Sequence, residues 1–217
     1  MKEQLSLLDD LSQYRNAEEM STYYKFIIAR AKKDSAVLRL LRLKKGRFKE
    51  FCEEFTPAYI FSMSTFFPKD AQIKVVLGNQ GYDFLMKRSD GVVEKFEVSS
   101  YIDGQEDTKI SQKLNEVGRW QSRLSSLESL EEKRSIFLEK TKQNIIKKSQ
   151  KNYDDVTLIF STTIFTLEHF PEDHEYLLQE KIIEYIKEIT FYAKGVYLIT
   201  DDGHSIEHSA VHMLQIK

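Results

Sequence analysis

Residues 73–102 read IKVVLGNQGYDFLMKRSDGVVEKFEVSSYI, and the fold turns on how this stretch divides. An apolar run of Ile73, Val75, Val76 and Leu77 stops at Gly78. The run Tyr82-Asp83-Phe84-Leu85-Met86 leads into Ser89-Asp90-Gly91, and a third run extends from residue 92 to residue 99. Asp-Gly between two alternating runs is a strong hairpin signal, because glycine accepts the positive φ that tight turns need. The sequence therefore predicts three consecutive antiparallel strands near 73–77, 82–87 and 92–99. Side chains alternate along a strand, so Phe96 and Val98 point one way while Lys95, Glu97 and Ser99 point the other. Asp83 and Glu97 place one carboxylate on each arm, able to meet across the pair. Two converging carboxylates are the least that can hold a divalent metal against a phosphate.

Working outward toward the N-terminus, residues 35–61 form a helical zone with Leu38, Leu41, Phe48, Phe51, Cys52 and Phe55 near helical spacing. Gly46 divides it and Pro57 ends or kinks it. Arg39, Arg42, Lys44, Lys45, Arg47 and Lys49 make this the densest basic stretch of the chain. Such a run reads first as a solvated helix face and second as a phosphate-contacting one. Residues 1–33 read as a further helix. Toward the C-terminus, 101–136 is polar and helix-prone with Trp120 its one large anchor, and residues 124–153 continue as helix. Val156-Thr157-Leu158-Ile159-Phe160 is a buried strand, 175–193 an amphipathic helix stopped by Gly195, and Val196-Tyr197-Leu198-Ile199-Thr200 a second buried strand. In the last segment, 204–217, His204, His208 and His212 recur every four residues. That spacing puts them on one face of a helix or an extended segment, but no carboxylate or cysteine has the spacing of a zinc signature.

With 41% hydrophobic and 30% charged residues, the 217-residue chain has the balance of a single globular domain. Fourteen Phe and eleven Tyr against three Pro and eight Gly argue against disorder. No apolar run approaches the roughly 20 residues of a membrane helix, and the acidic start MKEQLSLLDD lacks a secretory core. One cysteine, Cys52, excludes an internal disulfide. The expectation is a cytoplasmic protein without a membrane partner. A net charge of −2 does not advertise nucleic-acid binding, yet a cleft can be basic on an acidic molecule. There is no G-x-S-x-G and no glycine-rich phosphate loop.

The order αβββαβ, with Asp83 on the second strand and Glu97-Val98-Ser99 on the third, resembles the PD-(D/E)xK nuclease superfamily. The resemblance spans roughly residues 35–200. It implies an α/β restriction-endonuclease-like core over 35–217, a mixed central sheet flanked by helices, with 1–34 as an N-terminal helical extension. It further implies Mg²⁺ or Mn²⁺ held by Asp83, Glu97, the Val98 carbonyl and an acid of the preceding helix, Glu53 or Glu54. The motif's third position is usually lysine and here is Ser99. Lys95 shares a strand face with Glu97, and Lys148, with Lys147 or Lys151 as alternates, lies on the following helix. One of these is expected to supply the missing amine, so the catalytic candidates are Asp83, Glu97, Ser99, Lys95 and Lys148.

Two readings follow. The first is a metal-dependent endonuclease that hydrolyses DNA rather than RNA, in restriction, repair or phage defence. Arg39, Arg42, Lys44, Lys45, Arg47, Lys147 and Lys151 would then hold the phosphate backbone, and a homodimer is compatible. The second, kept open by Ser99, is a catalytically degenerate module that binds nucleic acid or protein.

Overall fold

Asn16 and Glu19 start the first helix. The Glu19 N–H donates to Asn16 Oδ1 at 2.9 Å and the Asn16 N–H to Glu19 Oε2 at 2.8 Å, a reciprocal cap that satisfies two otherwise orphaned donors. The computed structural model describes residues 7–78, 80–100, 104–119, 127–163, 173–201 and 205–217. Helix α1 thus runs Ala17–Lys33. The expected helix over 1–33 is corrected: residues 7–12 form turns, and 1–6 lie outside the described residues. Asp34 caps α2, Ser35–Arg42. The chain then reverses through Lys44 and Gly46, both at positive φ (+46° and +58°).

Helix α3 is composite: Phe48–Glu50, a π-helical turn Phe51–Phe55, and Thr56–Met63. Pro57 was expected to end or kink this helix. It does not end it: the helix runs on to Met63, because the turn before Pro57 is widened. In a regular α-helix its ring would strike the Glu53 carbonyl. Here the Thr56 N–H reaches back five residues to Phe51 O, and the chain continues through Pro57.

Six strands follow the order β1-β2-β3-β4-β5-β6: Gln72–Val75, Phe84–Lys87, Val93–Ser100, Asn152–Thr163, Tyr192–Asp201 and Leu214–Gln215. The first three form the expected antiparallel meander, with Phe84 opposite Phe96. β3, β4 and β5 are parallel, and β6 is antiparallel to β5. Parallel neighbours need long crossovers, supplied by helices α4 (Gly104–Val117) and α5 (Leu127–Ser149) before β4, and α6 (Asp173–Glu188) before β5. Helix α7, Ile206–Val211, precedes β6, so the terminal segment, open in the sequence between helix and extended chain, contains both. Gly195 does not cap a helix: α6 stops at Glu188 and Gly195 lies inside β5 opposite Thr157. A Cβ there would stand 3.6 Å from Lys217 O, an ordinary contact. Trp120 lies outside the described residues.

The helices sandwich the sheet. On one face Ile73, Val75, Phe84, Met86, Phe96, Ile159 and Ile199 pack with α1 and α3. Phe84 and Phe96 stack at 4.7 Å, with Phe61 of α3 at 4.9 Å from Phe96. Leu8, Leu11, Met20 and Ile27 belong to this same core, so the described part of 1–34 is built into the domain. On the other face Val156, Leu158, Phe160, Val196 and Leu198 meet Leu138 and Ile145 of α5 and Ile182 and Ile186 of α6. Among the described residues no helix is long and apolar enough to cross a membrane.

Candidate functional site

The hairpin register decides where the acids stand. The β2–β3 ladder ends with Phe84 paired to Phe96, and Asp83 stands one residue before it, close enough to Glu97 for the two charges to act on each other. Just before β2, the Asp83 N–H donates to Phe96 O at 2.7 Å, out of register with the ladder, and its carbonyl accepts from the Val76 N–H at 2.8 Å. Because Phe84 and Phe96 enter the aromatic core, Asp83 and Glu97 are forced to the opposite face, toward α5. Asp83 Oδ2 accepts the Val98 N–H at 2.7 Å. The N–H and C=O of one strand residue leave on the same side, so the Val98 carbonyl also points toward Asp83.

Helix α5 brings the amine. Lys148 Nζ donates to Glu97 Oε1 at 2.6 Å, both side chains largely buried. One turn earlier, Asn144 donates to Ser99 Oγ at 3.0 Å. Ser99, 5% exposed, is therefore a packed polar contact between β3 and α5, and the space a lysine there would fill is taken from the helix side.

The third acid comes from the π-helical turn. Burial, then the charges of Asp83, Glu50 and Glu53, push Glu54 up to about 8, with Lys49 opposing. Burial and then Glu97 push Asp83 up to about 6, against the Val98 N–H and Lys148. Burial lowers the Lys148 amine, but the bond to Glu97 and its charge outweigh that and leave it raised. Glu54 Oε2 and Glu50 Oε2 are buried without hydrogen-bond partners.

The other candidates lie elsewhere. Lys95 pairs with Asp155 and spans the Tyr82 ring, rather than turning to Glu97. Glu53 faces Lys44 (3.8 Å) and Lys49 (4.0 Å). Of the basic run, Arg42 donates to Leu114 O at 2.9 Å, Lys44 pairs with Asp107 at 2.9 Å, and Arg47 with Asp9 at 3.0 Å. Arg39, Lys45, Lys147 and Lys151 are exposed. His208 and His212 are exposed with ring centroids 4.0 Å apart, and His204 lies outside the described residues. An open groove of about 410 Å³, lined by Tyr24, Tyr59, Asp201 and Glu207, sits against α1, α3 and α7, across the sheet from Glu97. It has no part in this chemistry. Sequence reading missed Glu50, Asn144 and Tyr153; the Asn144-Lys148 spacing of four, one helical turn, was the available signal for Asn144.

The donor set suits a hard divalent cation: oxygen ligands only, with carboxylates in excess of the single lysine and two buried oxygens unpartnered. Among the described residues no three His, Cys, Asp or Glu stand close enough together to hold an ion by themselves. The Val98 carbonyl and water would complete the shell. No protein-family model, curated protein or solved structure matches the chain.

Proposed function

We propose that this chain is a divalent-metal-dependent phosphodiesterase acting on DNA, built on a restriction-endonuclease-like αβββαβ core. The observation that carries the reading is the meeting of Lys148 with Glu97 beside Asp83. These are a carboxylate of β3, a carboxylate just before β2 and a helix amine, brought from residues 97, 83 and 148 to one largely buried spot. Asp83, Glu97 and the Val98 carbonyl, with water, would hold Mg²⁺ or Mn²⁺, and Glu54 would add its charge nearby. Such an ion supplies a bound water of lowered pKa and neutralises charge on the scissile phosphate. Lys148, raised in pKa, stays protonated and presents its charge to a phosphate oxygen. Asn144 and Ser99 fix the facing of α5 on β3, and hence where that ammonium stands. Exposed Lys147 and Lys151 beside it are placed to meet the backbone.

A second reading, a non-cleaving binding module, is favoured by one observation: Lys148 is already closed on Glu97. Incubation of the protein with single- and double-stranded DNA in Mg²⁺, Mn²⁺ and EDTA separates the two. Cation-dependent cleavage abolished by Glu97→Gln is the expected result. Binding without cleavage under every condition sinks the first reading.

A further inference from the structure

Tyr153 opens β4, 5% exposed and buried in the core beneath α5 and α6. In an unbroken strand it would share a face with Thr157, two pairs along, and not with Val156. The register shift between Tyr153 and Thr157 removes that parity, and Tyr153 joins Val156, Leu158 and Phe160 on the α5 side. Irregularities of this kind often re-aim one side chain. What is re-aimed here is a hydroxyl. Tyr153 Oη is sealed from solvent and makes no hydrogen bond of ordinary length and angle, while Lys148 and Glu97 both lie close enough to act on it by charge and as hydrogen-bond partners. Buried hydroxyls nearly always bond to something. A substrate cannot touch Oη where it lies, so its available partners are those two side chains.

We propose that Tyr153 is a positioning residue with a standby hydrogen bond: its Oη–H takes over Glu97 when the Lys148 ammonium turns from that carboxylate to a phosphate oxygen. The assignment rests on reading the site as a phosphodiesterase centre. With Nζ at 2.6 Å from Glu97 Oε1, Lys148 is occupied. Releasing it to a substrate would strand a buried carboxylate without a donor, a heavy penalty in a low-dielectric site. The phenol removes that penalty and keeps Glu97 facing Asp83. In the unliganded state Lys148 holds the short bond to Glu97, and the hydroxyl stands within reach of both without a well-formed bond to either.

Thermal unfolding of the full chain in EDTA, with and without inorganic phosphate, tests this without reference to cleavage. Phosphate is expected to raise the wild-type Tm through Lys148, so Lys148→Ala should abolish the rise. Tyr153→Phe should cut it by about half or more, the scale on which losing one donor to a charged group weakens an anion site, while leaving the phosphate-free Tm no lower than wild type. Where cleavage is measurable, Tyr153→Phe should lower kcat about tenfold with KM within about twofold. A phosphate-free Tm lowered in Tyr153→Phe overturns the proposal, since the hydroxyl would then already be partnered. It is equally overturned by a phosphate response equal to wild type, or by a wild-type response that is absent or survives Lys148→Ala. Protein that responds to phosphate through Lys148 but never cuts DNA removes the nuclease reading, and the Tm comparison alone then decides Tyr153.

Discussion

On the proposed phosphodiesterase reading, Glu97 is the residue whose charge the site would depend on most. Glu97→Gln keeps the shape and removes a full negative charge, and should cost at least ~10²-fold in cleavage rate while DNA affinity holds or rises; single-turnover rates and a filter-binding titration read the two separately. Lys148→Ala should lower turnover comparably. Lys95→Ala should not, because Lys95 is spent on Asp155. Ser99→Lys should be destabilising rather than restorative, because Asn144 and the α5 packing occupy that space. Protonation gives a further expectation. Asp83 and Glu54 bind protons more tightly folded than unfolded, with pKa values near 6 and 8 against ordinary values near 4. Between about pH 4 and 8 the folded chain keeps protons that the unfolded chain has released. Their contribution to stability therefore falls as pH rises through that window. Metal-free Glu54→Gln should accordingly show a higher Tm than wild type at pH 9 and little difference at pH 4.5. An unchanged Tm at pH 9 would mean that Glu54 is not crowded as described.

At the scale of elements, two departures from regular geometry feed the site: the π-helical turn at 51–55 and the register shift in β4. The first follows from Pro57, whose ring excludes the tighter turn. Pro57→Ala lifts that exclusion and should let the helix close to a regular turn, swinging Glu54 by about one residue's rotation, ~100°. The fold should survive, the Tm advantage of Glu54→Gln at pH 9 should vanish in the double variant, and cation-dependent cleavage should drop. What was legible in the sequence divides along the same line. The hairpin, its register and the facing of Asp83 and Glu97 were readable, because strand alternation and Asp-Gly turn chemistry are local rules. The nearness of Lys148 was readable only as one of several lysines, since helix phase against a sheet is set by packing. Glu54 over Glu53, and Tyr153 at all, were beyond reading, because each depends on one irregular turn that breaks the periodicity used to read the rest. Gly195 differs for a related reason: a glycine after an apolar helix looks like a cap, whereas here the helix has already ended at Glu188 and Gly195 lies inside β5.

Over the whole molecule, charge is dispersed rather than gathered. Arg42, Lys44 and Arg47 hold α4 and the N-terminal turns, leaving Arg39, Lys45, Lys147 and Lys151 as the exposed cations of the candidate set. DNA affinity should therefore be modest, with a log–log salt slope shallower than about −3, corresponding to some three phosphate contacts. Lys147→Glu with Lys151→Glu should weaken it further while Arg47→Glu lowers Tm instead. A steep slope unaffected by the lysine pair would place the nucleic-acid surface elsewhere. The first strand carries a different consequence. β1 is the outer strand of the sheet, and Arg15 covers it by exchanging two 2.8 Å backbone hydrogen bonds with Ile73. The guanidinium is tied in turn to Asp10 at 2.8 Å and lies 4.0 Å over the Tyr23 ring. Loosening that anchor with Arg15→Ala would bare a row of main-chain donors and acceptors that another molecule can extend. Light scattering should then rise with protein concentration before any loss of helix signal, making one arginine near the start of the chain a guard of its colloidal behaviour.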